Sequence, residues 1–178
     1  MVQAIPNDIP SWKDIVIETK TEGKTHPDTK KLYEIGWLKA NFGDRNVPKI
    51  IGFDVYLTQD YIFGFQFVYS NGKKGTRFYG SHAPSHVRIE HHDLIGSEYI
   101  TKVDARLGNW CDKVTFKTST GRVLKFGGNG GHKVKFRADK GASKPCLIGI
   151  GCGMGGHIHH LKCFYVDLDN SPPRSIIP

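Results

Sequence analysis

The sequence predicts an all-β fold of three antiparallel sheet units in series, and three observations lead there. First, Ser97 to Gly128 divides into three short strands joined by tight turns. Apolar and polar residues alternate from Ile100 to Leu107, and Val114 and Phe116 point away from Thr115 and Lys117. Ser119-Thr120-Gly121 then turns the chain into Val123 to Phe126. Second, the pattern F-x-x-S-x-G-[KR] occurs twice, from Phe67 and from Phe116, an offset of 49 residues. A further 49 leads to Tyr165, inside an apolar run from Phe164 to Leu168 that ends in the turn residues Asp169-Asn170. Third, each copy has an upstream strand at similar distance: Phe53, Val103 and Ile150 precede Phe67, Phe116 and Phe164 by 14, 13 and 14 residues.

The 178 residues suffice for one cored domain with extensions. No stretch approaches the ~18 apolar residues of a membrane span, and MVQAIPNDIPSWKD lacks the basic and apolar regions of a secretory leader. The expected location is therefore intracellular, cytoplasmic or cytoskeleton-associated. Cys111, Cys146, Cys152 and Cys163 follow no secreted disulfide spacing and are expected as reduced, packed thiols. The net charge is +8, and because residues 1–35 hold five lysines against six acidic residues, residues 36–178 carry +9. Such a surface favours anionic partners.

Taken in order, residues 1–31 are expected as an N-terminal arm, rich in Pro and charge, with one apolar knot from Trp12 to Ile17. That knot needs burial, either on its own domain or on a neighbouring protein. The domain is expected over 32–168. Leu32 to Leu38 is expected as its first strand and Ile50 to Leu57 as the next. Tyr61 to Tyr69 puts Phe63, Phe65 and Phe67 on one face at period 2, the face that fills a core. Thr76 to Tyr79 and His86 to Ile89 read as further strands, followed by an exposed loop at His91-His92-Asp93. His132 to Arg137 turns Val134 and Phe136 inward and Lys133, Lys135 and Arg137 outward. With Lys113 and Lys117 these form a candidate basic face, either solvated or able to bind an anionic partner. The tail, 169–178, leaves as an extended peptide with Ile176 and Ile177 near its end, either frayed or suited to lie on a partner.

Three segments carry a family resemblance. Ser97-Glu98-Tyr99-Ile100-Thr101-x-Val103, then Val114-Thr115-Phe116-Lys117-Thr118-x-x-Gly121-Arg122, then Ile148-Gly149-Ile150-Gly151 before a last apolar strand, together resemble the jacalin-related lectins over about Gly36 to Leu168. The resemblance implies a β-prism of three four-stranded antiparallel Greek-key sheets with pseudo-three-fold symmetry. It also implies a sugar site at one end of the prism, made by an N-terminal Gly-rich loop, a middle loop and a terminal loop G-x-x-x-D. The Asp carboxylate there accepts hydrogen bonds from two sugar hydroxyls.

Carried onto this sequence, the resemblance points to Gly36 and Lys39 for the first loop and to Gly108, Asn109 and Trp110 for the middle one. For the terminal loop it points to Gly155 and Gly156, with His159 or His160 where the acceptor belongs. No Asp or Glu occurs between Gly141 and Val166, and an imidazole cannot offer two acceptors. His157, His159 and His160, near Cys152 and Cys163, match no zinc signature, so no metal or other cofactor is expected. No nucleophile elbow, phosphate loop or paired-carboxylate motif is present, and the chain is expected to be a non-enzyme. Two functions compete. One is a structural or adaptor module in an intracellular protein assembly, its sugar pocket decayed; the other is a working lectin, taking anionic glycans on the basic face.

Overall fold

The structure, a computed structural model, describes residues 11–138 and 141–171. After one 3-10 turn at Trp12–Asp14 come β1 (Ile17–Glu18), β2 (Glu22–Gly23), β3 (Lys30–Tyr33) and the helix α1 (Glu34–Asn41). The first repeat unit holds β4 (Ile50–Leu57), β5 (Ile62–Tyr69), β6 (Phe78–Tyr79) and β7 (Arg88–Asp93). The second holds β8 (Ile100–Leu107), β9 (Cys111–Thr118), β10 (Val123–Gly127) and β11 (His132–Phe136), and the third closes with β12 (Pro145–Met154) and β13 (Ile158–Asp167).

These strands make three antiparallel sheets, ordered β6-β5-β4-β7, β10-β9-β8-β11, and β12-β13 flanked by β3 on one side and β1 with β2 on the other. In each, a hairpin supplies the two central strands and the outer pair is added around it, the Greek-key plan. The repeat is visible down to single hydrogen bonds. Ser70 N–H donates to the Lys49 carbonyl, Ser119 to Tyr99 and Leu168 to Lys144, while Gly72 donates to Tyr69, Gly121 to Thr118 and Asn170 to Asp167. Gly72 and Gly121 sit at φ +79° and +87°, where a side chain is strained. Asn170 has a negative φ, so the third turn does without glycine.

The three inner faces share one core. Phe53 stands edge-on to Phe116 and Phe126 at 5.0 and 5.9 Å, contacts that add about 0.5–1.5 kcal/mol each beyond burial. Phe65, Phe67, Val114, Phe136, Leu161 and Phe164 are buried there, and Val134 is half-buried against them. All four cysteines are buried free thiols, and burial pushes Cys111, Cys152 and Cys163 upward in pKa.

Several expectations are corrected. The strand expected over Leu32 to Leu38 ends at Tyr33, and α1 follows because Glu34 and Leu38 fit against Gly149 of β12, where an added Cβ would lie 3.0 Å from Glu34 and 3.2 Å from Leu38. Residues 17–31, expected as part of the N-terminal arm, supply β1, β2 and the start of β3, all strands of the third sheet. Of the two placements expected for the apolar knot, the structure shows the one on its own domain: Trp12 is fully buried, its indole Nε1 donating to the Gly43 carbonyl at 2.8 Å. Phe63 leaves the core face, because a bulge in β5 hands its place to Ile62. His91-His92-Asp93 is strand, not loop: His91 bridges Asp54 and Asp93 at 2.7 and 2.8 Å, and His92 stacks on Phe53. Residues 172–178 of the expected tail lie outside the described residues.

Candidate functional site

Each central hairpin carries a second register shift beside its turn, and the residue left over by that shift differs in the three units. It is Phe63 in β4–β5, Asp112 in β8–β9 and His159 in β12–β13. Each turn is closed in the same way, Thr58, Gly108 and Gly155 donating their N–H groups to the carbonyls of Tyr61, Trp110 and His157, although the first turn is one residue longer. Phe63, Asp112 and His159 are therefore one backbone position in three copies. The hairpin tips meet at one end of the prism, with Trp110 stacked on His157 at 3.9 Å and Tyr61 edge-on to Trp110 at 5.2 Å.

At the terminal hairpin the chain packs its own N-terminal residues against the tip. Gly23, at φ +111°, passes so close that an added Cβ would lie 2.5 Å from the His159 carbonyl. The loop after it then crosses the hairpin tip. The Asp28 carboxylate accepts from Gly156 N–H at 3.1 Å and lies 3.5 Å from His159 Nε2, and the His26 ring packs 4.1 Å from the His159 ring. On the other flank Ser81 and His82 donate to the carbonyls of Gly155 and Gly156. His159 and His160 are buried and their ring nitrogens have no hydrogen-bond partner among the described residues. Burial lowers both pKa values, which favours neutral imidazoles.

The structure thus brings together Gly108, Asn109, Trp110, Gly155, Gly156 and His159, with His160 behind them over Gly153. Lys24 Nζ donates to Asn109 Oδ1 at 2.9 Å, and His26 Nε2 donates to the Asn109 carbonyl at 3.1 Å, tying the same loop to the middle hairpin. Gly36 and Lys39 are not part of this end. They lie on α1, which packs on β12 at Gly149 rather than at its tip; Gly36 has open space around it, and Lys39 lines a separate groove with Lys13, Asp14 and Glu18. The place expected of the Gly36 loop is taken by the loop between β2 and β3, because β2 and β3 flank the third hairpin as β10 and β11 flank the second.

The middle hairpin holds what the terminal one lacks. Asp112 closes a pocket of about 210 Å³ lined by Tyr61, Gly108, Asn109, Trp110 and Gly131. The turn from β10 to β11, Gly127-Gly128-Asn129-Gly130-Gly131, wraps the carboxylate so closely that a Cβ at Gly130 would lie 2.3 Å from Oδ1 and one at Gly131 2.7 Å from Oδ2. Only glycine permits that approach. Burial raises the Asp112 pKa, while the Gly108 N–H and the Arg106 guanidinium pull it back. Sequence reasoning missed Asp112 and Tyr61 as site residues, and took the glycine turn as a mark of the fold and not of a site. The signal was present: Gly108-Asn109-Trp110-Cys111-Asp112 is itself G-x-x-x-D.

A family profile described as Jacalin-like lectin domain matches residues 39–163. The chain belongs to the jacalin-like lectin domain family. Solved structures agree on the fold. A single-chain recombinant jacalin is 17% identical, with 85% of this chain and 94% of that one covered and a TM-score of 0.65. A mannose-specific jacalin-related lectin from Morus nigra, solved with mannose, is 14% identical over 85% and 95% of the two chains, also at 0.65. Frutalin from Artocarpus incisa is 16% identical over 84% and 95%, at 0.64. No curated protein matches the chain in sequence.

In this jacalin-like domain the candidate basic residues fall on the outer face of the second sheet. Lys113, Lys117 and Lys133 line one groove with Arg106 and Lys125. Lys135 pairs across the strands with Asp104, to which Arg137 Nη2 and Lys117 Nζ approach at 2.7 and 3.4 Å. Among the described residues no group of three His, Cys, Asp or Glu side chains is placed to hold a metal ion, and no helix is long and apolar enough to cross a membrane.

Proposed function

We propose that this jacalin-like domain is a non-enzymatic carbohydrate-binding module whose sugar-binding carboxylate is Asp112 of the middle hairpin. The observation that carries the reading is the equivalence of Asp112 to His159, where the terminal hairpin carries an imidazole and the middle one a carboxylate. A sugar in the Asp112 pocket would donate two hydroxyls to the carboxylate, lie against the glycine turn, and pack a ring face on Trp110 or Tyr61. At about 210 Å³ the pocket is smaller than the roughly 300–1,000 Å³ of drug-sized sites and suits one small polar ring.

Hydrogen bonds to a charged group contribute roughly 1.5–3 kcal/mol each, so two of them decide whether a sugar binds at about millimolar strength or not measurably. Calorimetry with mannose, the sugar seen in the Morus nigra lectin, and with galactose is the test. Binding by the wild type that is lost in Asp112→Asn is expected. The carboxylate must be ionised to accept both hydroxyls, so affinity falls with falling pH. With its pKa raised by burial, that loss begins above the ordinary aspartate range.

A second reading is an adaptor within an intracellular protein assembly, cytoplasmic or cytoskeletal. It is favoured by the terminal pocket, which Asp28, His26 and His159 fill. A wild-type protein that binds no sugar, yet co-purifies with stoichiometric protein companions, would select it.

A further inference from the structure

The groove on the outer face of the second sheet and the Asp112 pocket are both bounded by the turn between β10 and β11. The groove holds about 600 Å³. Asn129 lines the groove, Gly131 lines the pocket, and both belong to the one glycine turn between β10 and β11. That turn is held by cations of the face: Arg106 donates to the carbonyls of Asn129, Gly130 and Gly131, and Lys113 Nζ donates to Asn129 Oδ1 at 3.0 Å.

The charge pattern of the groove opposes stability. Lys133, Arg106 and Lys113 are direct cross-strand neighbours on β11, β8 and β9, three like charges in one row. Like charges placed opposite one another destabilise a sheet, so the row calls for a counter-charge. The chain supplies little of it. Among the described residues Asp104 is the one acidic side chain lining the groove, and it already serves Arg137 and Lys117. Among the described residues, Lys125 and Lys133 have no acidic partner and no aromatic side chain lines the groove.

We infer that the pocket and the groove form one extended site for a sulfated glycan chain. One sugar ring sits at Asp112, and the sulfates of the following residues lie along Lys113, Arg106, Lys133 and Lys125. This rests on the sugar-binding reading and adds the class of its ligand. A nucleic acid fits less well. Its bases find no stacking platform in the groove, and a phosphodiester reaching the pocket meets a carboxylate.

The test measures binding of the whole protein to three probes: a heparin-derived octasaccharide, its desulfated counterpart, and single-stranded DNA of similar charge. Mannose or galactose is titrated alongside. For the sulfated octasaccharide, the Lys125→Ala/Lys133→Ala double variant should lose at least about tenfold in affinity and show a shallower dependence on salt. Neutral-sugar binding should not change. Equal affinity for sulfated and desulfated chains, an unchanged double variant, or equally tight DNA binding would each overturn the inference. The neutral-sugar arm reports separately on the Asp112 reading, since loss of sulfate binding alone leaves it standing.

Discussion

At the residue scale, Glu34 at the start of α1 is a carboxyl group placed where water cannot reach. One oxygen accepts the Thr76 N–H at 3.0 Å, the other has no partner, and burial pushes the pKa to about 7. The folded chain keeps a proton that the unfolded chain gives up near the ordinary value of 4.5. Stability from this group is therefore full below pH 4.5, falls as pH rises towards 7, and stays low above it. The span corresponds to about 3 kcal/mol. His159 and His160 act in the opposite sense, since their lowered pKa values remove stability as pH falls through 6.5. A difference between wild type and variant isolates Glu34. In urea unfolding, Glu34→Gln should gain on the wild type at pH 8 and lose that gain at pH 4.5. A parallel pH profile for the two proteins would contradict the assignment.

At the element scale, legibility followed turn chemistry. The strands between Ile100 and Phe126 were readable because Gly121 demands a positive φ and the alternation on both sides leaves one register. The helix α1 was not readable. Its buried contacts are Glu34 and Leu38, four residues apart, and a lone carboxylate inside a fold gives no apolar period to detect. β1 and β2 were missed because strands of two residues carry no alternation at all. Asp112 escaped for a different reason: a carboxylate was sought only beside the terminal glycines, although the offset of 49 from Phe63 leads straight to it. The short strands have a measurable role. Without residues 1–33, β12 loses β3 and β13 loses β1 and β2, leaving both edges of the third sheet unpaired. Unpaired edges recruit other chains. A chain beginning at Glu34 should therefore pass into the insoluble fraction or elute as large aggregates, whereas a soluble monomer with native circular dichroism would show the two edges to be self-sufficient.

At the scale of the whole molecule, three units of one plan hold three unlike residues at one position, an aromatic, an acid and an imidazole. The fold is indifferent to that choice, because Phe63, Asp112 and His159 all stand outside the regular ladder. The stacking of Trp110 on His157 follows from hairpin tips converging at one end of the prism, and it makes this domain its own optical sensor. Trp12 is sealed in the core and Trp37 packs against Tyr69 and Phe42, which leaves Trp110 as the indole at the rim of the Asp112 pocket. An imidazolium in van der Waals contact quenches indole emission, and His157 takes up its proton at lower pH than an ordinary histidine because it is partly buried. Emission should dim on acidification below the usual histidine range, and His157→Ala should abolish the step. A sugar entering the pocket would register in the same channel, so occupancy could be followed in solution without a label.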